Sequence, residues 1–152
     1  MGLTEKLLLQ VDFPALTSDT FELTSPTDRR YNCIAWAAGE THRKWWPDRF
    51  NTMHWPKGIP REVTLEAFVA AYQSLGYNCC ESDVPETGYE KIAIFARADG
   101  KPAHAARQLP SGAWTSKLGD EQDIEHEQLR GVESQAYGLV VQIMRREITR
   151  NG

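Results

Sequence analysis

Apolar positions recur at helical spacing in two stretches of the chain and run together or alternate in several others, and this pattern sets the expected element order. In the first stretch Ile34, Ala37 and Ala38 repeat at i, i+3 and i+4, with Asn32 ahead of them as N-cap and Gly39 behind them at a left-handed cap. In the second, Leu65, Phe68, Val69, Tyr72 and Leu75 mark one face of a helix that Thr64 caps, with Glu66 in its first turn and Gly76 at its end. Residues 92–96 form a continuous apolar run, and Asp99-Gly100 after them is a hairpin signal. The chain then returns over 103–109, turns at Pro110-Ser111-Gly112 and runs out again over 113–117, a three-stranded antiparallel meander. Residues 120–129 are polar and read as a short helix or an ordered loop, and 136–144 read as a closing strand. Residues 1–27 show no sustained periodicity and read as an irregular N-terminal segment around a core spanning 28–145. The expectation is α+β: a cysteine-bearing helix near the N-terminus packed on a small antiparallel sheet.

Composition narrows this picture. A chain of 152 residues that is 41% hydrophobic fits one domain with a single core. Its net charge of −4 announces no nucleic-acid partner. The run Leu7-Leu8-Leu9 is too short for a signal peptide, and no membrane-spanning stretch is evident. Three cysteines, two of them the neighbours Cys79 and Cys80, suit a reducing compartment better than a disulfide framework. The expected location is cytoplasmic, or exported without a cleavable signal peptide. Adjacent cysteines also lack zinc-knuckle spacing, so neither metal nor cofactor is expected.

Candidate chemistry centres on Cys33. In the first turn of a helix, unpaired backbone N–H groups and the helix dipole favour the thiolate, which is the nucleophilic form; the competing reading is a small buried hydrophobe. A nucleophile needs a base. His104 opens the second meander strand among Ala103, Ala105 and Ala106, whereas His42, His54 and His126 read as solvated. If residues 110–112 form a three-residue loop, Leu109 pairs with Ala113, and His104, Ala106, Gln108, Trp114, Ser116 and Leu118 share one sheet face. Ser116 is then the group that orients His104. A two-residue loop would present Thr115 or Lys117 instead, and Asp123 or Glu125 are acidic substitutes.

The order of a cysteine opening a helix, a second helix, and a hairpin bearing histidine on one strand and a polar residue on the next resembles the papain-like cysteine hydrolases of the NlpC/P60 type. The resemblance covers roughly residues 28–144. It implies a papain-like fold, with Cys33 as nucleophile and His104 as base; at the third position those enzymes generally carry histidine or another polar orienter, and this chain offers Ser116. The segments Asn32-Cys33-Ile34-Ala35-Trp36-Ala37, His104-Ala105-Ala106-Arg107-Gln108-Leu109 and Trp114-Thr115-Ser116-Lys117-Leu118-Gly119 also resemble a group of uncharacterised bacterial domains, with no activity attached. The expected function is hydrolysis of an amide or related acyl bond in a peptide-like or acyl substrate. Asn32, Trp36, Trp46, Trp55 and Arg107 are the expected substrate contacts, with the tryptophan-rich loop after the first helix as a rigid cleft wall; the competing readings are core packing for each tryptophan and a solvated strand position for Arg107. The alternative is a non-catalytic papain-like binding module or toxin-like effector domain.

Overall fold

Two helices lie on one face of an antiparallel sheet that is covered on both sides. The computed structural model describes residues 9–16, 21–24, 28–118 and 123–148. In chain order the elements are β1 (Phe21–Leu23), α1 (Cys33–Ala37), α2 (Leu65–Gln73), β2 (Asn78–Cys80), β3 (Tyr89–Ala96), β4 (Pro102–Gln108), β5 (Trp114–Lys117), β6 (Asp123–His126), a 3-10 turn (Leu129–Val132) and β7 (Leu139–Glu147). Their sheet order is β1-β6-β5-β4-β3-β7-β2, and every paired neighbour runs antiparallel. The chain is α+β, with a larger sheet than the meander alone would make.

Local chemistry accounts for the helix ends. Asn32 sits in extended backbone and its side chain accepts from the Ala35 N–H, closing α1 at its start, while Gly39 at φ 85° closes its end. Thr64 caps α2 in the same way through the Ala67 N–H. The meander also forms in the expected register, because Leu109 N–H donates to Ala113 O at 2.8 Å and Gln108 pairs with Trp114.

The unbroken apolar run in β3 has a simple cause: both sheet faces are buried, so alternate residues feed two cores. Ile92, Ile94, Ala105 and Met144 face the helices and pack with Ile34, Phe68 and Tyr72. Ala93, Phe95, Ala106, Trp114 and Ile124 face the other way and pack with Phe13, Leu16, Leu129 and Val132. Gly138 enters β7 with φ 78°, and a Cβ there would lie 1.8 Å from the Ala96 carbonyl oxygen, so the β3 edge tolerates only glycine at this point.

Several elements differ from expectation. Of the polar stretch 120–129, residues 120–122 lie outside the described residues, and 123–126 form a strand. That strand is polar yet buried, since Asp123 and His126 find partners inside the protein. The last strand is displaced from 136–144 to Leu139–Glu147 and inserts between β3 and β2. Most of residues 1–27 lies outside the described residues, but Phe21–Leu23 forms an edge strand on β6. No helix among the described residues is long and apolar enough to cross a membrane.

Candidate functional site

Cys33 begins α1 and is buried. Burial pushes its thiol up to about 11, with backbone hydrogen bonds from Ala105, Ile34 and Cys33 itself opposing the shift only in part. A helix of five residues has too short a row of peptide dipoles to offset that desolvation. At neutral pH the thiol therefore stays protonated.

The expected base lies elsewhere. In the β3–β4 ladder Ile94 pairs with Ala105 and Phe95 with His104, so Ala105 and His104 point to opposite faces. Ala105 belongs to the helix-side core with Cys33, whereas His104 packs edge-on against Phe95 and flat against Tyr137 at 4.1 Å, in the other layer. The sheet itself separates Cys33 from His104. It does bring His104 and Ser116 together: His104 Nε2 and Ser116 Oγ are 3.0 Å apart, as the three-residue turn requires.

A further residue joins them. Ser116 Oγ lies 2.8 Å from His126 Nε2, and His126 Nδ1 lies 2.8 Å from the Gln128 carbonyl oxygen. A carbonyl only accepts, so His126 Nδ1 carries the proton, its Nε2 accepts from the Ser116 hydroxyl, and the hydroxyl oxygen accepts from His104 Nε2–H. That leaves His104 Nδ1 as a bare acceptor, buried and without a hydrogen-bond partner among the described residues. Burial, then the neighbouring His126, holds His104 well below the usual histidine range; burial alone lowers His126 to about 4. Both rings are neutral at pH 7. Reading His126 as solvated is therefore corrected. Ile124 between two polar neighbours was the available signal, since alternation across 123–126 puts His126 on the face of Trp114 and Ser116.

The acidic substitutes lie across the sheet from this relay. Asp123 Oδ2 accepts from Tyr31 OH at 2.8 Å beside α1, and the Lys117 ammonium stands 5.1 Å from the Tyr31 ring. Glu125 pairs with Thr115 on that same face.

The expected substrate contacts are occupied by structural work. Asn32 Oδ1 accepts from Trp45 N–H at 3.1 Å as well as from Ala35 N–H, and its Nδ2 donates to Trp45 O at 2.8 Å, stapling the loop to the helix start. Asn32→Ala removes a cap and leaves backbone groups of Trp45 unpaired; it is expected to destabilise the fold by about 2 kcal/mol in urea denaturation. Arg107 stacks 4.4 Å above the Trp36 ring. Trp55 is buried and donates from Nε1 to Pro60 O at 2.9 Å, and both it and the half-buried Trp46 pack on Phe68. Cys79 is exposed and Cys80 half-buried, and among the described residues no group of three His, Cys, Asp or Glu is placed to hold a metal.

The tryptophan-rich loop does build one concave surface. Arg29, Arg30, Arg43, Lys44, Thr52, Met53 and His54 line a groove of about 500 Å³ beside the start of α1. Whole-chain net charge concealed it: residues 28–61 hold seven basic and three acidic residues, a net of +4 in a chain whose total is −4. No curated protein and no solved structure matches this chain. A family model described as a domain of unknown function, DUF7689, matches residues 22–145, and the chain belongs to that family.

Proposed function

We propose that this domain is a binding module on a papain-like scaffold, without thiol hydrolase chemistry at Cys33. One observation carries the reading: the imidazole that would activate Cys33 lies on the far face of the sheet. A general base has to reach the proton it removes, within about 3 Å or through one water. On the face that Cys33 occupies, β4 presents Ala105, whose backbone hydrogen-bonds the thiol and whose side chain has no titratable group. The buried thiol, held protonated, fits a core position.

Thiol labelling tests this, with the exposed Cys79 as an internal reference. Near pH 7 Cys33 is expected to react at least about tenfold more slowly than Cys79, to gain reactivity only on unfolding, and to be indifferent to His104→Gln. Labelling of Cys33 faster than Cys79, slowed by His104→Gln in a variant that remains folded, would return the site to the thiol hydrolases.

A further inference from the structure

We propose that the cationic groove beside α1 is the ligand site of this module and takes a ligand carrying a phosphate group. The inference rests on the binding-module reading and names what is bound. Three arginines and a lysine converge on one concavity with a threonine and a histidine. Asp28 and Glu40 each offset one of these arginines, while Arg29 has no carboxylate partner among the described residues, so positive charge is left over for an anion.

The groove is also built to stay open. Its two walls are tied together by His54 N–H donating to Lys44 O at 3.0 Å and Trp46 N–H donating to His54 O at 2.9 Å. Asp48 holds the far wall, accepting from Thr52 N–H and Oγ1–H, from Met53 N–H and from Arg61 Nη2. Asp28 and Glu40 fix the poses of Arg30 and Arg43 through one edge of each guanidinium, and their other N–H groups are unengaged among the described residues. Arg29 pairs with no carboxylate among the described residues. Forked guanidinium donors fit the several oxygens of a phosphate, which carries nearly two charges at neutral pH. A carboxylate offers two oxygens and one charge. His54 is held below its usual range by partial burial and then by Arg43, so it adds a neutral ring to the wall.

The test is a titration of the isotope-labelled whole chain with inorganic phosphate at constant ionic strength, followed by amide shifts. Saturable shifts confined to residues 28–30, 43–44 and 52–54 are expected, with a Kd of about 1 mM or tighter. Arg29→Ala and Arg43→Ala should each weaken binding about tenfold while leaving the melting temperature unchanged. Acetate should bind measurably less tightly. Vesicles of phosphatidylcholine with and without phosphatidic acid then locate the source: sedimentation that needs phosphatidic acid and Arg29 assigns a lipid headgroup, and free phosphate binding without sedimentation assigns a soluble phosphoester. Shifts that fail to saturate, acetate binding as well as phosphate, or affinity indifferent to both arginines would overturn the proposal. If Cys33 proves inert in the labelling experiment while phosphate fails here, the groove alone is wrong. If Cys33 proves activated by His104, the binding-module reading falls whatever the groove does.

Discussion

Trp55→Ala is expected to destabilise the domain by about 3–5 kcal/mol, the range for deleting a large aromatic from a packed core. The indole is 5% exposed, its ring centroid lies 5.0 Å from that of Phe68, and its N–H is already committed to the Pro60 carbonyl. Truncation would leave a cavity against α2 and an unpaired carbonyl at Pro60. For a domain of this size the loss corresponds to a fall in Tm of roughly 10–15 °C. Equilibrium urea denaturation reads it directly, with the phosphate affinity of the folded fraction as control. A loss below about 1 kcal/mol together with weakened ligand binding would reinstate the tryptophan-rich loop as a cleft wall. That loop now reads as a core flap, held by Asn32 at one end and by the Asp48–Arg61 pair at the other, with Arg43, Lys44 and His54 on the side that lines the groove.

Acidification from pH 7 towards 4.5 is expected to destabilise the protein through its buried histidines. His104 and His126 are both depressed in the folded state and return to about 6.5 on unfolding, so below that value the unfolded chain binds more protons. Stability therefore rises with pH across this window, is complete above about 6.5, and is lost as pH falls towards the folded values. For His126, lowered from 6.5 to about 4, the full loss is about 3.5 kcal/mol on the scale of about 1.4 kcal/mol per unit. His104 adds to it in the same direction.

The lowered carboxylates act mainly below this window and reach only its acid end. Asp28 is lowered to about 2 and Asp48 further, each by hydrogen bonds to its carboxylate, so both lose their stabilising effect below 3.8; Glu40 and Glu86 are lowered from 4.5. His54 shifts in the same direction as the relay, and a variant isolates the relay from it. Unfolding free energies from urea titrations at pH 7.5, 6 and 4.5 should fall steadily. The slope should shrink in His126→Gln, which cannot take up the proton. Equal stability at pH 7.5 and 4.5 in the wild type would show that the relay is not held neutral by burial.

A core role for Trp55 was open to the sequence as the ordinary reading of a single tryptophan, whereas the relay was legible only in part. His104 and Ser116 were placed on one face by the loop length between their strands, because a three-residue turn sets the register of the hairpin and the register sets side-chain parity. His126 escaped because Asp123–His126 carries mostly polar side chains, and only their burial against β5 and β1 makes that segment a strand. The groove escaped for a different reason. Its cations come from residues 29–30 and 43–44, and a histidine arrives from residue 54, so proximity in the chain says little about their convergence.

By itself the sequence determined what short-range chemistry controls. Asn32 and Gly39 bound α1, Thr64 and Gly76 bound α2, and the turn at 110–112 sets the meander register, because caps and turns depend on a few neighbouring dihedrals and hydrogen bonds. Only the tertiary structure decided which side of the sheet each helix covers. Alternation along β4 guarantees that Ala105 and His104 point apart, but nothing local to β4 says which of them meets Cys33. That choice follows from packing α1 and α2 over Ile92, Ile94 and Met144, a burial summed across elements distant in the chain. The same packing put the thiol against an alanine and left the imidazole with a serine and a second histidine.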